Sequence, residues 1–141
     1  MRAPARAETR AVTHQPLLAL GYRVPALEKL DDTLPYALDV LADILSGNSA
    51  SRLDKNLVRG KEAALDVGAS YDMFSRGPAL FTLVAMPADR TDVAQLQKLR
   101  EAEIADIARH GISNEEIARV HSRMAASELY ARDLMSAQAS L

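Results

Sequence analysis

The chain has 141 residues, enough for one domain with a real core, and 48% of them are hydrophobic. Seventeen Lys and Arg against nineteen Asp and Glu leave a net charge of -2, and the aromatics are four Tyr, two Phe and no Trp. There is therefore neither a basic footprint nor a stacking platform for nucleic acid, and the absence of cysteine removes disulfides, thiolate metal sites and cysteine nucleophiles.

Taken in chain order, residues 1–9 are rich in Ala, Arg and Pro and read as a linker, and residues 10–141 as the domain proper. From Pro16 to Val24 the run is short, apolar and closed by Pro25, which predicts a largely buried strand. After a loop to Asp32, Thr33 is placed to cap a helix with Pro35 in its first turn. Leu34, Leu38, Leu41 and Leu45 form its face, and Gly47 is expected in the left-handed stop position. A shorter helix is expected from Ser49 or Ser51 to about Gly60, with Leu53 and Leu57 inward and Arg52, Lys55 and Arg59 outward.

Leu65 to Met73 and Ala79 to Met86 alternate apolar and small residues around Ser75-Arg76-Gly77-Pro78, which predicts an antiparallel hairpin. Thr91 or Asp92 opens a helix with Val93, Leu96, Leu99, Glu103 and Ile107 on one face, ending at Gly111. Ser113 with Glu116 makes a capping box, and Ile112 with Ile117 the matching hydrophobic staple. A last helix carries Val120, Met124, Ala131 and Leu134 on its apolar side. Strand, two helices, hairpin, two helices: the order predicts an α+β domain, a small and largely antiparallel sheet covered on one face by helices. No apolar run approaches the ~20 residues that a membrane-spanning helix needs.

Local chemistry is sparse. His14, His110 and His121 are scattered, and none has a partner at a spacing such as His-x-x-Glu-His, so no metal site is expected. His110, one residue before Gly111, is read as a cation at the negative end of a helix. Gly47-Asn48-Ser49-Ala50-Ser51 lacks the Gly-Lys-Ser/Thr of a phosphate loop and is read as a helix-to-helix turn, with Ser49 and Ser51 as caps. The acidic pairs Asp31-Asp32, Glu115-Glu116 and Glu101 with Glu103, the last beside Lys98 and Arg100, are read as solvated helix support rather than catalytic carboxylates.

Several stretches, in order, carry a resemblance that no single motif does. Leu17-Leu18-Ala19-Leu20-Gly21-Tyr22-Arg23-Val24-Pro25, the helix Leu34 to Leu45 and Ser46-Gly47-Asn48-Ser49-Ala50-Ser51-Arg52-Leu53 resemble the start of the second, non-zinc domain of pitrilysin/insulinase-family metallopeptidases. Gly77-Pro78-Ala79-Leu80-Phe81-Thr82-Leu83, the stretch Arg109 to Ile117 and Leu129-Tyr130-Ala131-Arg132-Asp133 are similar to its later segments.

The resemblance implies the LuxS/processing-peptidase-like fold. It also implies a role as the non-catalytic, substrate-enclosing domain of a zinc endopeptidase whose His-x-x-Glu-His motif lies in an N-terminal domain. A zinc-free partner or scaffold subunit of the same fold is the alternative. The partners implied are that zinc-binding domain or a partner subunit, and a peptide substrate. Similar bacterial proteins are often exported to the periplasm, which a cysteine-free chain permits. By the same comparison the domain stops short of its last helices and closing strand, which leads to an expectation of homo-oligomers through an open sheet edge. In such domains an Arg and a Tyr seven residues later hold the substrate. Here Arg59 stands near the Arg, while the Tyr position falls on Asp66, or on Leu65 in an ungapped alignment. Tyr71 is the nearest tyrosine, so Arg59 and Tyr71 are the candidate substrate contacts.

Overall fold

Alternation in the strongest strand sets the layers. Along β3 (Ala79–Pro87) Ala79, Phe81, Leu83, Ala85 and Pro87 are buried, while the residues between them are exposed or half-buried. A period of two puts the buried set on one face of a sheet. In the computed structural model, which describes residues 14–139, β3 is the central strand of an antiparallel sheet in the order β1-β3-β2, flanked by β1 (Leu18–Val24) and β2 (Ala64–Tyr71). Directly paired residues share a face, so Leu18 opposite Ala85 and Val67 opposite the same Ala85 bring three strands to one apolar surface. The expected linker at residues 1–9 and the side chains of Ala131 and Leu134 lie outside the described residues.

Four helices complete the α+β architecture: α1 (Thr33–Ser46), a π-helix (Asp54–Gly60), α2 (Val93–His110) and α3 (Asn114–Ala139). Leu45 of α1, Leu53, Leu57 of the π-helix and Leu96 of α2 are each no more than 1% exposed, and with Val67, Phe81 and Leu83 they form the core. The sheet and helices expected from the sequence are therefore present, in the expected order.

Several local expectations change. The first strand is mostly exposed rather than buried: only Leu18 is buried, Tyr22 is 45% exposed, and the strand sits at a sheet edge with one neighbour. The helix after it is entered from Asp32, not Thr33, and Asp32 spends its carboxylate on the preceding loop, accepting from the Glu28 and Lys29 N–H groups. Leu34 stands 53% exposed, because the burial stripe of α1 runs through Pro35, Ala42, Ile44 and Leu45 instead.

Gly47 has φ -96°, an ordinary right-handed value. Glycine is needed there for space: a Cβ would lie 2.6 Å from the Asp43 carbonyl oxygen. The expected short helix is wound as a π-helix, with Lys61 N–H reaching the Asn56 carbonyl five residues back. Two residues past Gly60, Glu62 takes a left-handed conformation at φ +50°. The stop at Gly111 is as expected, with φ +73° and its N–H on the Ile107 carbonyl. The start of α2 is at Asp92, whose carboxylate accepts from the Gln95 N–H.

Arg100 overturns the expectation of a solvated face most sharply. It is 1% exposed, and none of its three guanidinium nitrogens finds a hydrogen-bond partner among the described residues. Burial lowers its pKa, an effect that Tyr22 and Glu101 partly counter.

Candidate functional site

Two polar assemblies hold the helices in place, and a groove lies beside the second. The first centres on Arg52, which the sequence had placed outward. Its Nε and Nη2 grip the two carboxylate oxygens of Glu116 at 2.5 and 2.9 Å, its Nη1 reaches Asp106 at 3.1 Å, and Nη2 also donates to the Gly111 carbonyl at 3.0 Å. Such fork-to-fork pairing is the strong geometry for a guanidinium and a carboxylate. Glu116 simultaneously closes the predicted capping box: it accepts from Ser113 N–H at 2.9 Å while Ser113 Oγ accepts from Glu116 N–H at 3.2 Å. The Arg52 bond is the main reason that the Glu116 carboxyl is held down to about 2. Glu116 is thus a half-buried tie from α3 to Arg52, which also reaches Asp106 of α2, and not solvated support. His110 gives its Nδ1 to Asp106 one helical turn earlier, at 2.8 Å, a pairing that the sequence reading did not consider.

The second assembly fastens the turn after α1. Ser51 Oγ accepts from the N–H groups of Gly47 and Asn48 and donates to the Asp43 carbonyl, so it closes the helix behind it rather than capping the one ahead. The Ala50 N–H goes to Asn48 Oδ1 and the Ser51 N–H to the Asn48 carbonyl. The N–H groups of Gly47, Asn48, Ala50 and Ser51 are thus spent within the turn, as a helix-to-helix connection requires. From α3, Arg123 reaches across to the Gly47 carbonyl and the Asp43 carboxylate.

Beside this cross-link a groove of about 390 Å³ opens between α1, β2 and α3, lined by Asp39, Asp43 and Ser46, by Ala69 and Tyr71, and by Arg123 with its neighbours Met124 and Ser127. Its size falls in the range of about 300–1,000 Å³ typical of ligand sites. Asp43 is paired with Arg123, whereas Asp39 has no hydrogen-bond or ion-pair partner among the described residues. Burial, then repulsion from Asp43, holds the Asp39 carboxyl above the ordinary range.

Of the two predicted contact residues, Tyr71 lines this groove and Arg59 does not. The Tyr71 hydroxyl donates to the Pro25 carbonyl at 2.5 Å, and its ring stacks on Phe81 with centroids 6.3 Å apart. Burial, with Asp39 and Asp72 nearby, raises its pKa. Arg59, on the exposed side of the π-helix, donates to the Ser49 carbonyl. Asp39, Asp43 and Arg123 were missed. Residues 43 and 123 are brought together only by the packing of α3 on α1, and the sole local signal was two aspartates one turn apart.

Among the described residues no group of three or more His, Asp or Glu side chains could hold a metal ion. His14 precedes β1, His110 ends α2 and His121 lies within α3, so the residues present do not fit a zinc site.

A three-stranded antiparallel sheet backed by helices defines the class of protein, an α+β domain. Its family is shown directly: the model for the Peptidase M16 inactive domain matches residues 4–124, and the chain belongs to that family. This bears out the resemblance to the second domain of pitrilysin-like metallopeptidases. A solved structure, a protease from Helicobacter pylori, superposes with a TM-score of 0.75 over 84% of this chain at 24% identity, which is a likeness of fold. The chain spans 28% of that protein's length. Among curated proteins there is no match.

Proposed function

We propose that this domain is the substrate-enclosing, non-catalytic half of a zinc-dependent endopeptidase, in which a separate domain with a His-x-x-Glu-His helix supplies the zinc and the base. The observation that carries this is the family match over residues 4–124, whose description is of an inactive peptidase domain. The groove beside β2 supports it, because an enclosing domain has to offer a surface to an extended chain. Zinc would polarise the scissile carbonyl and activate a water, and it needs ligands that this chain's histidines do not provide. Here the domain's own share is to exclude water and to hold the peptide.

The test is reconstitution. The purified chain, supplied with zinc and a mixed peptide pool, is expected to release no new amino termini. Addition of the zinc-motif polypeptide that accompanies it should restore cleavage that a chelator abolishes. Cleavage by the chain alone, or full cleavage by the zinc polypeptide without it, would overturn the proposal. Whether that motif is encoded in the same reading frame or another separates a two-domain peptidase from an assembly with a zinc-free partner subunit.

A further inference from the structure

The backbone of β2 points into the groove over a short, bounded stretch. The Ala88 N–H donates to the Ala63 carbonyl at 3.0 Å, which sets the ladder's parity. Even-numbered residues of β3, Thr82, Val84 and Met86, turn their backbone groups toward β2, opposite Ser70, Gly68 and Asp66. Val67, Ala69 and Tyr71 therefore turn theirs away from β3. An independent bond agrees: the Val67 carbonyl accepts from Ser46 Oγ of α1 at 3.1 Å, on the side away from the sheet. Two residues beyond Tyr71, the Met73 carbonyl accepts from the Leu27 N–H at 2.8 Å. The edge is thus fastened at Val67 and again at Met73. Between them the outward N–H and C=O groups of Ala69 and Tyr71, both half-buried and both lining the groove, have no hydrogen-bond partner among the described residues.

We propose that this interval of β2 binds an extended peptide by strand addition, and that the groove selects a segment with a Lys or Arg whose side chain meets Asp39. Strand addition satisfies two residues' worth of backbone donors and acceptors at once, and alternate side chains of the added strand enter the pockets beside it. Charge sets the preference: Arg123 already neutralises Asp43, which leaves Asp39 unmatched in the groove among the described residues. A cation placed there brings its carboxyl, now held high, back toward the ordinary range. The inference rests on the peptide-holding role proposed above and names the strand and the side chain that carry it.

Amide spectra of the whole chain, titrated with a short blocked peptide of alternating Thr and Val around a central Lys, provide the test. Shifts should concentrate at Ala69 and Tyr71. N-methylation of the peptide in one register should weaken binding about tenfold, as loss of one or two net hydrogen bonds does, with little effect in the other register. Replacing the central Lys by Glu should weaken binding, and Asp39→Asn should remove that difference. Shifts confined to the Arg59 surface would overturn the strand-addition site and leave the peptide-holding role standing. Equal effects of N-methylation in both registers would overturn it too. No shift with any peptide would sink both.

Discussion

Glu116 shows how one side chain can be both a local signal and a long-range tie. The capping box with Ser113 is written in four consecutive residues, yet the same carboxylate takes the fork of Arg52, 64 positions away, with its own side chain only 12% exposed. Its pKa lies near 2 in the folded chain against an ordinary 4.5. Because the folded value is the lower one, the stabilisation is fully present above the unfolded pKa and is lost as pH falls through the folded pKa. The window is therefore from about 4.5 down to about 2, and the shift corresponds to about 2–4 kcal/mol at neutral pH. Glu116→Gln is expected to lower unfolding stability at pH 7 by about 1–3 kcal/mol and to flatten its decline over that window. Denaturant melts across pH would check it, and parallel curves for the two proteins would show that the pair is not formed.

At the scale of elements, the stops were easier to read than the faces. Gly111 ends α2 at φ +73°, ψ -159°, a region that residues with a Cβ rarely occupy, and a Cβ added there would meet no neighbour. Gly111→Ala should therefore cost about 1–3 kcal/mol through backbone strain alone, with no repacking of the core. A thermal melt together with unchanged side-chain methyl spectra would separate strain from a clash. The turn after α1 shows the opposite case. Gly47 looks like the same kind of stop, but as the residue after α1 it keeps an ordinary right-handed backbone and is held small by the Asp43 carbonyl and the Arg123 guanidinium. The π-helix was legible as a helix with Leu53 and Leu57 inward, since their spacing survives in the wider winding. The winding itself was not legible, because it depends on where Lys61 and Ala63 find acceptors.

For the whole molecule, stability should be graded from the centre of the sheet outward. β3 is paired on both sides and carries Phe81, Leu83 and Ala85 in the core, whereas β1 has one partner and mostly exposed side chains. Amide exchange is expected to be slowest along β3 and faster along β1, with Ala69 and Tyr71 the fastest of the ladder region on β2, since their N–H groups point away from β3. Uniform protection across β1 and β3 would mean that β1 has a second partner. Protection at Ala69 in the chain alone would mean that its edge is already closed.

The sequence by itself determined the order of elements, the α+β class, the hairpin, the Gly111 stop and the capping box, because each depends on residues within a few positions of one another and on short-range sterics. It also carried the family, through many short matches in register. What only the tertiary structure decided was which side chains are enclosed and which edge is open. Arg100 looks like any charged residue on a mixed face and is buried. Arg52 looks outward and holds three elements together. Asp39, Ala69, Tyr71 and Arg123 line one groove from three separate elements, and Arg59 stands outside it. Burial and the direction of a strand's free groups depend on the packing of distant segments, and no local pattern encodes that.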